Sequence, residues 1–186
     1  MKLILVTGIE QTDKNRLLGM SISTMNNGTW YKDFFNINLN AMRSVSNSFF
    51  AGDIKESYLS IYDDLEKVLT TSKRNAFNIV LDAPLTINTQ YGYVPILTER
   101  FFSIMKPDSI LLLENRLEDF KDSQRELLLV KEQQEINRSY CIKFSSEFSL
   151  PLKIIKVNKS ELKQTVREIQ EYLLSVSKQR PKAAPV

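Results

Sequence analysis

The chain has 186 residues, 42% of them hydrophobic and 25% charged, which fits one ordinary globular domain with one main core. It contains no histidine, so imidazole acid–base chemistry and histidine–metal sites are excluded, and its one cysteine, Cys141, excludes an internal disulfide and makes a reduced, cytoplasmic setting the expectation. The net charge of +3 equals the charge of Lys178, Arg180 and Lys182 alone, so the body is neutral, which argues against a domain-wide nucleic-acid surface.

Met1 to Gly8 is basic, then apolar. The apolar part is too short for a signal peptide and ends in turn residues, so Leu3–Val6 is expected to be a first strand. No apolar run reaches the length of a transmembrane helix, and no membrane partner is expected. Leu17, Leu18, Ile22 and Met25 recur at helical spacing and predict a helix over Lys14–Met25. The aromatic-rich stretch Trp30–Ile37 is a candidate strand. Tyr58, Ile61, Leu65 and Leu69 predict a helix over Ile54–Leu69. Ile79–Leu81 and Ile110–Leu113 read as strands buried on both faces. Leu129, Ile136, Tyr140 and Phe144 predict a long helix over Arg125–Phe148. A last strand, Leu152–Val157, precedes a helix over Ser160–Ser177, with Ser160 as N-cap. Strands alternating with helices predict right-handed βαβ units, hence a single α/β domain over residues 1–177 with a parallel sheet flanked by helices. Residues 178–186 carry Pro181, Pro185 and basic side chains, and are expected to be a disordered tail. Phenylalanines come in pairs, Phe34–Phe35, Phe49–Phe50 and Phe101–Phe102, to line a partner surface or fill the space between helix and sheet.

The loop after the first strand runs Gly8-Ile9-Glu10-Gln11-Thr12-Asp13-Lys14-Asn15. Gly8 and Lys14 stand at the spacing of the phosphate-cradling pattern G-x-x-x-x-G-K-[ST]. Asp13 replaces the second glycine and adds negative charge where polyphosphate would lie. Asn15 replaces the small hydroxyl residue that coordinates magnesium. From the loop alone, a plain strand–turn–helix with a surface lysine is the competing reading.

Asp82-Ala83-Pro84-Leu85-Thr86-Ile87-Asn88-Thr89-Gln90-Tyr91-Gly92-Tyr93-Val94-Pro95 resembles the signature of archaeal-type adenylate kinases, a family with the P-loop kinase fold. Asp82, Thr89, Gly92, Tyr93 and Pro95 match it without a gap. Lys106-Pro107-Asp108 with the strand after it, Glu132 to Arg138, and Leu152 to Asn158 resemble later pieces of the same family in the same order. The resemblance implies a P-loop kinase-like domain that binds ATP and magnesium. It implies that Gly8 and Lys14 contact phosphates, that Asp82 stands near the magnesium, that Gly92, Tyr93 and Pro95 border the AMP pocket, and that Arg138 lies close to the nucleotide. The competing readings are a turn-capping Asp82, a solvated Lys14, a turn at Gly92-Tyr93, and an Arg138 paired with Glu132 or Glu135 on its own helix.

The departures from the family fall on its functional parts. The loop has lost its glycine and hydroxyl, and Ala83-Pro84 replaces Thr-His. Asn40 to Gly52 offers Arg43 but no AMP-contacting arginine motif. The arginine-rich lid is shortened, leaving Arg116 and Arg125 nearby. Two functions therefore stand side by side. One is a catalytically impaired, adenylate-kinase-like binding or scaffolding module, with no catalytic residue and no metal site assigned. The other is a weak or altered nucleoside monophosphate kinase or ATPase relying on Lys14 and Asp82, with ATP and magnesium. The tail resembles those of ribosomal and RNA-associated proteins, so Lys178, Arg180 and Lys182 are candidate RNA contacts to a ribosome or another RNA–protein complex. A purely solubilising tail is the alternative.

Overall fold

Leucine- and isoleucine-rich runs without polar alternation need cover on both faces, and a central parallel sheet supplies it. The computed structural model describes residues 1–9, 12–27, 34–39, 62–71, 78–89, 92–120 and 124–178. In chain order these form β1 (Leu3–Thr7), α1 (Lys14–Asn26), β2 (Phe34–Asn38), a helix α2 described over 62–71, and β3 (Asn78–Asp82). Then come β4 (Thr86–Thr89), β5 (Gly92–Pro95), α3 (Glu99–Met105), β6 (Ser109–Asn115) and a 3-10 turn (Leu117–Phe120). The chain continues through α4 (Gln124–Glu147), β7 (Leu152–Val157) and α5 (Leu162–Ser177).

Five strands make the main sheet in the order β2-β3-β1-β6-β7, all parallel. β4 and β5 pair antiparallel as a separate hairpin. Strand alternation divides the core in two. Leu3, Leu5, Ile79, Leu81, Ile110 and Leu112 face one apolar cluster shared with Leu65, Phe101, Phe102, Cys141 and Phe144, under α2, α3 and α4. Ile4, Val6, Val80, Leu111 and Leu113 face the other, shared with Leu17, Leu18, Ile169 and Leu173 of α1 and α5. The chain leaves β1 towards β2 on one side and returns through β3 to β6 on the other. The order therefore reverses beside β1, where open α/β sheets place their ligand crevice, at the C-terminal strand ends.

The four expected apolar strands and the helices after the first and fourth of them are all present. The aromatic strand begins at Phe34, and residues 30–33 of the expected stretch lie outside the described residues, as do 54–61 of the second expected helix. Ser160 does not cap the last helix. Its N–H and Oγ both donate to Asn158 Oδ1, at 3.1 and 2.7 Å, in a turn before the helix. Glu161 stands at the N-cap with no side-chain capping bond. Phe34, Phe101 and Phe102 are core residues, with Phe102 stacked on Phe144 at 4.2 Å between ring centroids. Phe35 alone of these is exposed, on the outer side of β2; Phe49 and Phe50 lie outside the described residues. Among the described residues no helix is long and apolar enough to cross a membrane.

Candidate phosphate-binding site

Gly8 follows β1, and its backbone passes so close to β6 that an added Cβ would sit 2.4 Å from the Leu113 carbonyl oxygen. A side-chain-free residue is required there. The loop then turns, with Thr12 N–H donating to Ile9 O at 3.2 Å. Asp13 occupies the left-handed region (φ 53°, ψ 40°) immediately before α1 and makes no capping bond. This is the position where the phosphate-loop pattern has glycine, and the backbone keeps the glycine-like conformation under an aspartate, which tolerates it better than most residues. The Asp13 carboxylate meets Arg16 at 3.7 Å on the surface, a contact of little energetic weight.

Lys14 starts α1, as expected, but it is not a solvated surface lysine. Its side chain is buried, with Nζ donating to Gly8 O at 3.1 Å and lying 3.8 Å from Asp82 Oδ1. Asp82 is reached because β1 and β3 pair with Val6 opposite Asp82, which brings both strand ends to one level. Burial pushes the Asp82 carboxyl above the ordinary aspartate range, and the charge and hydrogen bonding of Lys14 pull it only part of the way back. The structure thus joins Gly8, Lys14 and Asp82, far apart in sequence, into one buried unit at the point where the sheet order reverses.

Unpartnered polar atoms gather at the same strand ends. Thr7 Oγ1, Thr12 Oγ1 and both side-chain polar atoms of Asn115 are buried without a hydrogen-bond partner, beside the Lys14–Asp82 pair. Buried polar groups in that state call for water or a ligand. The set suits a phosphate-bearing ligand, with one buried cation and hydroxyl donors. Among the described residues no group of three His, Cys, Asp or Glu could hold a metal by itself. Magnesium would have to be shared between Asp82 and the ligand's own phosphates, which is its usual mode in nucleotide sites.

The other site candidates have contacts of their own. Gly92 (φ +105°) opens β5, and nothing lies within 4 Å of its would-be Cβ. Tyr93 pairs across the hairpin with Asn88, and its hydroxyl donates to Glu132 Oε2 at 3.3 Å on the surface of α4. Arg138 pairs neither with Glu132 nor with Glu135 by hydrogen bond. Its Nε and Nη2 grip Glu114 of β6 at 2.8 and 2.6 Å. Lys178 is the residue after α5, with its N–H donating to Leu174 O. Arg180, Lys182 and Arg43 lie outside the described residues. Between β6 and α4 stand residues 116–123, of which 117–120 form the 3-10 turn, where the family's lid would be.

Sequence reasoning missed what α4 does with its polar residues. Gln134 clamps Asn115, its Oε1 accepting from Asn115 N–H at 2.6 Å and its Nε2 donating to Asn115 O at 3.3 Å. Asn137 Oδ1 accepts from Thr86 Oγ1 at 2.8 Å. With Arg138 on Glu114, this face ties α4 to β6 and the hairpin. The available signal was a Gln, Asn and Arg at helical spacing opposite a strand ending in Glu-Asn.

Three solved structures share this architecture. A thymidylate kinase from Candida albicans aligns with a TM-score of 0.58 at 11% identity, over 98% of this chain and 96% of its own. A shikimate kinase from Bacteroides thetaiotaomicron gives 0.53 at 13% identity, over 93% and 98%. A deoxyadenosine kinase from M. mycoides gives 0.50 at 12% identity, over 93% and 99%. The chain has the fold of the P-loop kinases. Within that fold its sequence is similar to an adenylate kinase of Methanopyrus kandleri, 28% identical over 109 residues, which are 53% of this chain. The match spans 57% of that relative's length. No family model matches the chain. The fold is kinase-like, of the nucleoside monophosphate kinase type, and about half of the sequence is similar to an adenylate kinase.

Proposed function

We propose that the chain is an adenylate-kinase-like protein impaired in phosphoryl transfer, which serves as a phosphate-binding or scaffolding module. The observation that carries the proposal is Lys14 drawn onto Gly8 O of its own loop and towards Asp82 at the end of β3. Phosphoryl transfer depends on several positioned cations and on excluded water. Here the lysine is engaged internally and Arg138 is held by Glu114. The β6–α4 segment has Arg116 as its basic residue among those described. The alternative is a weak kinase moving the ATP γ-phosphoryl group to AMP. It is favoured by the survival of Lys14 and Asp82 side by side at the strand ends. ATP and magnesium are ligands of this site where nucleotide binding survives, which the kinase reading requires. A cytoplasmic location fits Cys141, whose thiol is buried and held far above the ordinary range by burial.

Calorimetric titration with Mg-ATP, alongside an assay of AMP-dependent ADP formation, tests the proposal. Weak saturable binding is expected, abolished in Lys14→Met, with no AMP-dependent turnover above background. Turnover of about 1 s⁻¹ or more, the range of ordinary enzymes, would overturn impairment. Lack of any saturable binding at millimolar nucleotide would remove nucleotide as the ligand of this site and the kinase reading with it.

An RNA–protein partner reached through Lys178, Arg180 and Lys182 is part of the same proposal, supported by the whole net charge residing in those three residues. Three phosphate contacts give a log–log salt slope of about −2 to −3. Truncation after Ser177 is expected to flatten that slope in ribosome or RNA co-sedimentation while leaving the melting temperature unchanged. An unchanged slope would reduce the tail to a solubilising appendage.

A further inference from the structure

β1 ends at Thr7, opposite Leu112, whereas β6 runs on to Asn115. The N–H groups of Ile110 and Arg116 donate to Pro151 O and Val157 O. Main-chain direction alternates along a strand, so Asn115 turns its own N–H and C=O away from β7, to the side of β1. β1 has ended by that level, and Gln134 of α4 stands in for it. Its Oε1 accepts from the Asn115 N–H at 2.6 Å and its Nε2 donates to the Asn115 C=O at 3.3 Å. The clamp satisfies buried main-chain groups and fixes the direction in which the Asn115 side chain leaves the strand.

That direction is given by the register. Asn115 is paired with Val157, whose side chain lies in the apolar cluster of α1 and α5. Asp82 is paired with Val6 of the same cluster, and Lys14 enters this face from α1. Asn115, Asp82 and Lys14 therefore share one face at the C-terminal strand ends. A Cβ on Gly8 would meet both Leu113 O and Lys14 Cδ, at 2.4 and 3.3 Å, so the Lys14 stem passes at the level of Leu113. Asn115 stands two residues further along β6, about 7 Å beyond. It is 0% exposed, and neither Oδ1 nor Nδ2 has a hydrogen-bond partner. Thr12 Oγ1, two residues before Lys14, is in the same state. A purely structural asparagine bonds through its amide. Here the main chain is held by two bonds and the amide by none, which costs the free protein stability that a ligand would return.

We infer that Asn115 is a ligand-binding residue of the Lys14–Asp82 site, its Nδ2 donating to a phosphoryl oxygen and its Oδ1 accepting from a hydroxyl or water that the ligand brings, with Gln134 as its positioning residue. The inference rests on the phosphate-site reading above, and inorganic tripolyphosphate as the probe lets the two fail separately.

The experiment combines calorimetric titration with tripolyphosphate and thermal melts without ligand. Asn115→Leu keeps the branched shape of the side chain and removes both polar atoms; Asn115→Ala serves if the larger leucine fails to fold. The expected result for Asn115→Leu is affinity lowered about tenfold or more, the loss of a hydrogen bond to a charged group, with a melting temperature at or above that of wild type. Gln134→Ala should lower affinity about threefold in the wild-type background and not at all in Asn115→Leu, because it acts through Asn115. The same loss in both backgrounds overturns the positioning role. Affinity within about twofold of wild type in the Asn115 variants overturns the inference, and if Lys14→Met still abolishes binding the phosphate site stands. A melting temperature lowered by more than about 5 °C in Asn115→Leu also overturns it, since the amide is then a structural group. A wild-type protein that binds no tripolyphosphate at millimolar concentration removes the phosphate-site reading and the inference together.

Discussion

Gly8→Ala is expected to lower the stability of the free protein by about 2–3 kcal/mol, which for a chain of this size is a fall in melting temperature of roughly 5–10 °C. The added methyl would lie 2.4 Å from a backbone oxygen, Leu113 O, and 3.3 Å from Cδ of Lys14. A backbone atom in the centre of a five-strand sheet cannot step aside as the end of a side chain can. Gly8 also holds φ +153°, at the margin of the region that L-residues avoid. The loop must lift from β6, which also removes the Gly8 carbonyl from Lys14 Nζ. Gly19 supplies the control. It lies on the exposed side of α1, and its would-be Cβ meets nothing within 4 Å. Gly19→Ala should raise stability by about 0.5–1 kcal/mol through helix propensity. Thermal melts of both variants without nucleotide decide the matter. Equal melting temperatures would mean that the approach of Gly8 to β6 is not a native constraint.

The fold was legible because burial on both faces of a parallel sheet writes continuous apolar runs. Leu3–Thr7 and Ser109–Asn115 are buried at every residue, and so are visible without periodicity. The site was legible only as spacing. Gly8, Lys14 and Asp82 could be named, but the sequence could not show that Lys14 folds onto Gly8 O, since that depends on how close β1, β3 and β6 bring their ends. The β4–β5 hairpin was read as motif rather than as strands, because Thr86–Thr89 and Gly92–Pro95 are short and mixed in character. Ser160 looked like a cap because serine before an apolar-periodic stretch usually is one; Asn158 competes for its hydroxyl. Arg138 was assigned to a nucleotide or to its own helix. Its partner in the structure, Glu114, lies 24 residues earlier in a run that reads as pure core. A charged residue at the end of a leucine strand was the missed signal, for a buried charge needs a partner from another element.

Arg138→Ala is expected to cost about 2–3 kcal/mol, less than the loss of a partner from a fully buried pair because solvent screens the cation side. Glu114 is completely buried, whereas the Arg138 and Lys156 side chains are 42% and 49% exposed. The carboxylate is tolerated because Arg138 binds it with two nitrogens and Lys156, directly opposite in the β6–β7 register, adds a third bond at 2.5 Å. Arg138→Lys should recover only part of the loss, since an ammonium cannot reproduce the two-nitrogen grip. Burial, the largest single influence on Glu114, pushes its carboxyl up. The hydrogen bonds and charges of Arg138 and Lys156 together outweigh burial and hold it below the ordinary glutamate value of 4.5. The folded state therefore favours the ionised form. The stability this contributes is fully present above pH 4.5 and is lost as the pH falls through the lowered folded value. Urea unfolding of wild type and Glu114→Gln from pH 7 down to pH 3 should show a stability gap that narrows on the acid side. A gap independent of pH would mean that Glu114 is not held ionised by its partners. The same Arg138→Ala protein, titrated with Mg-ATP at a temperature where it is fully folded, separates scaffold from ligand. Affinity within about twofold of wild type is expected if Glu114 fully engages the guanidinium; a tenfold loss, about 1.4 kcal/mol, would return Arg138 to the nucleotide.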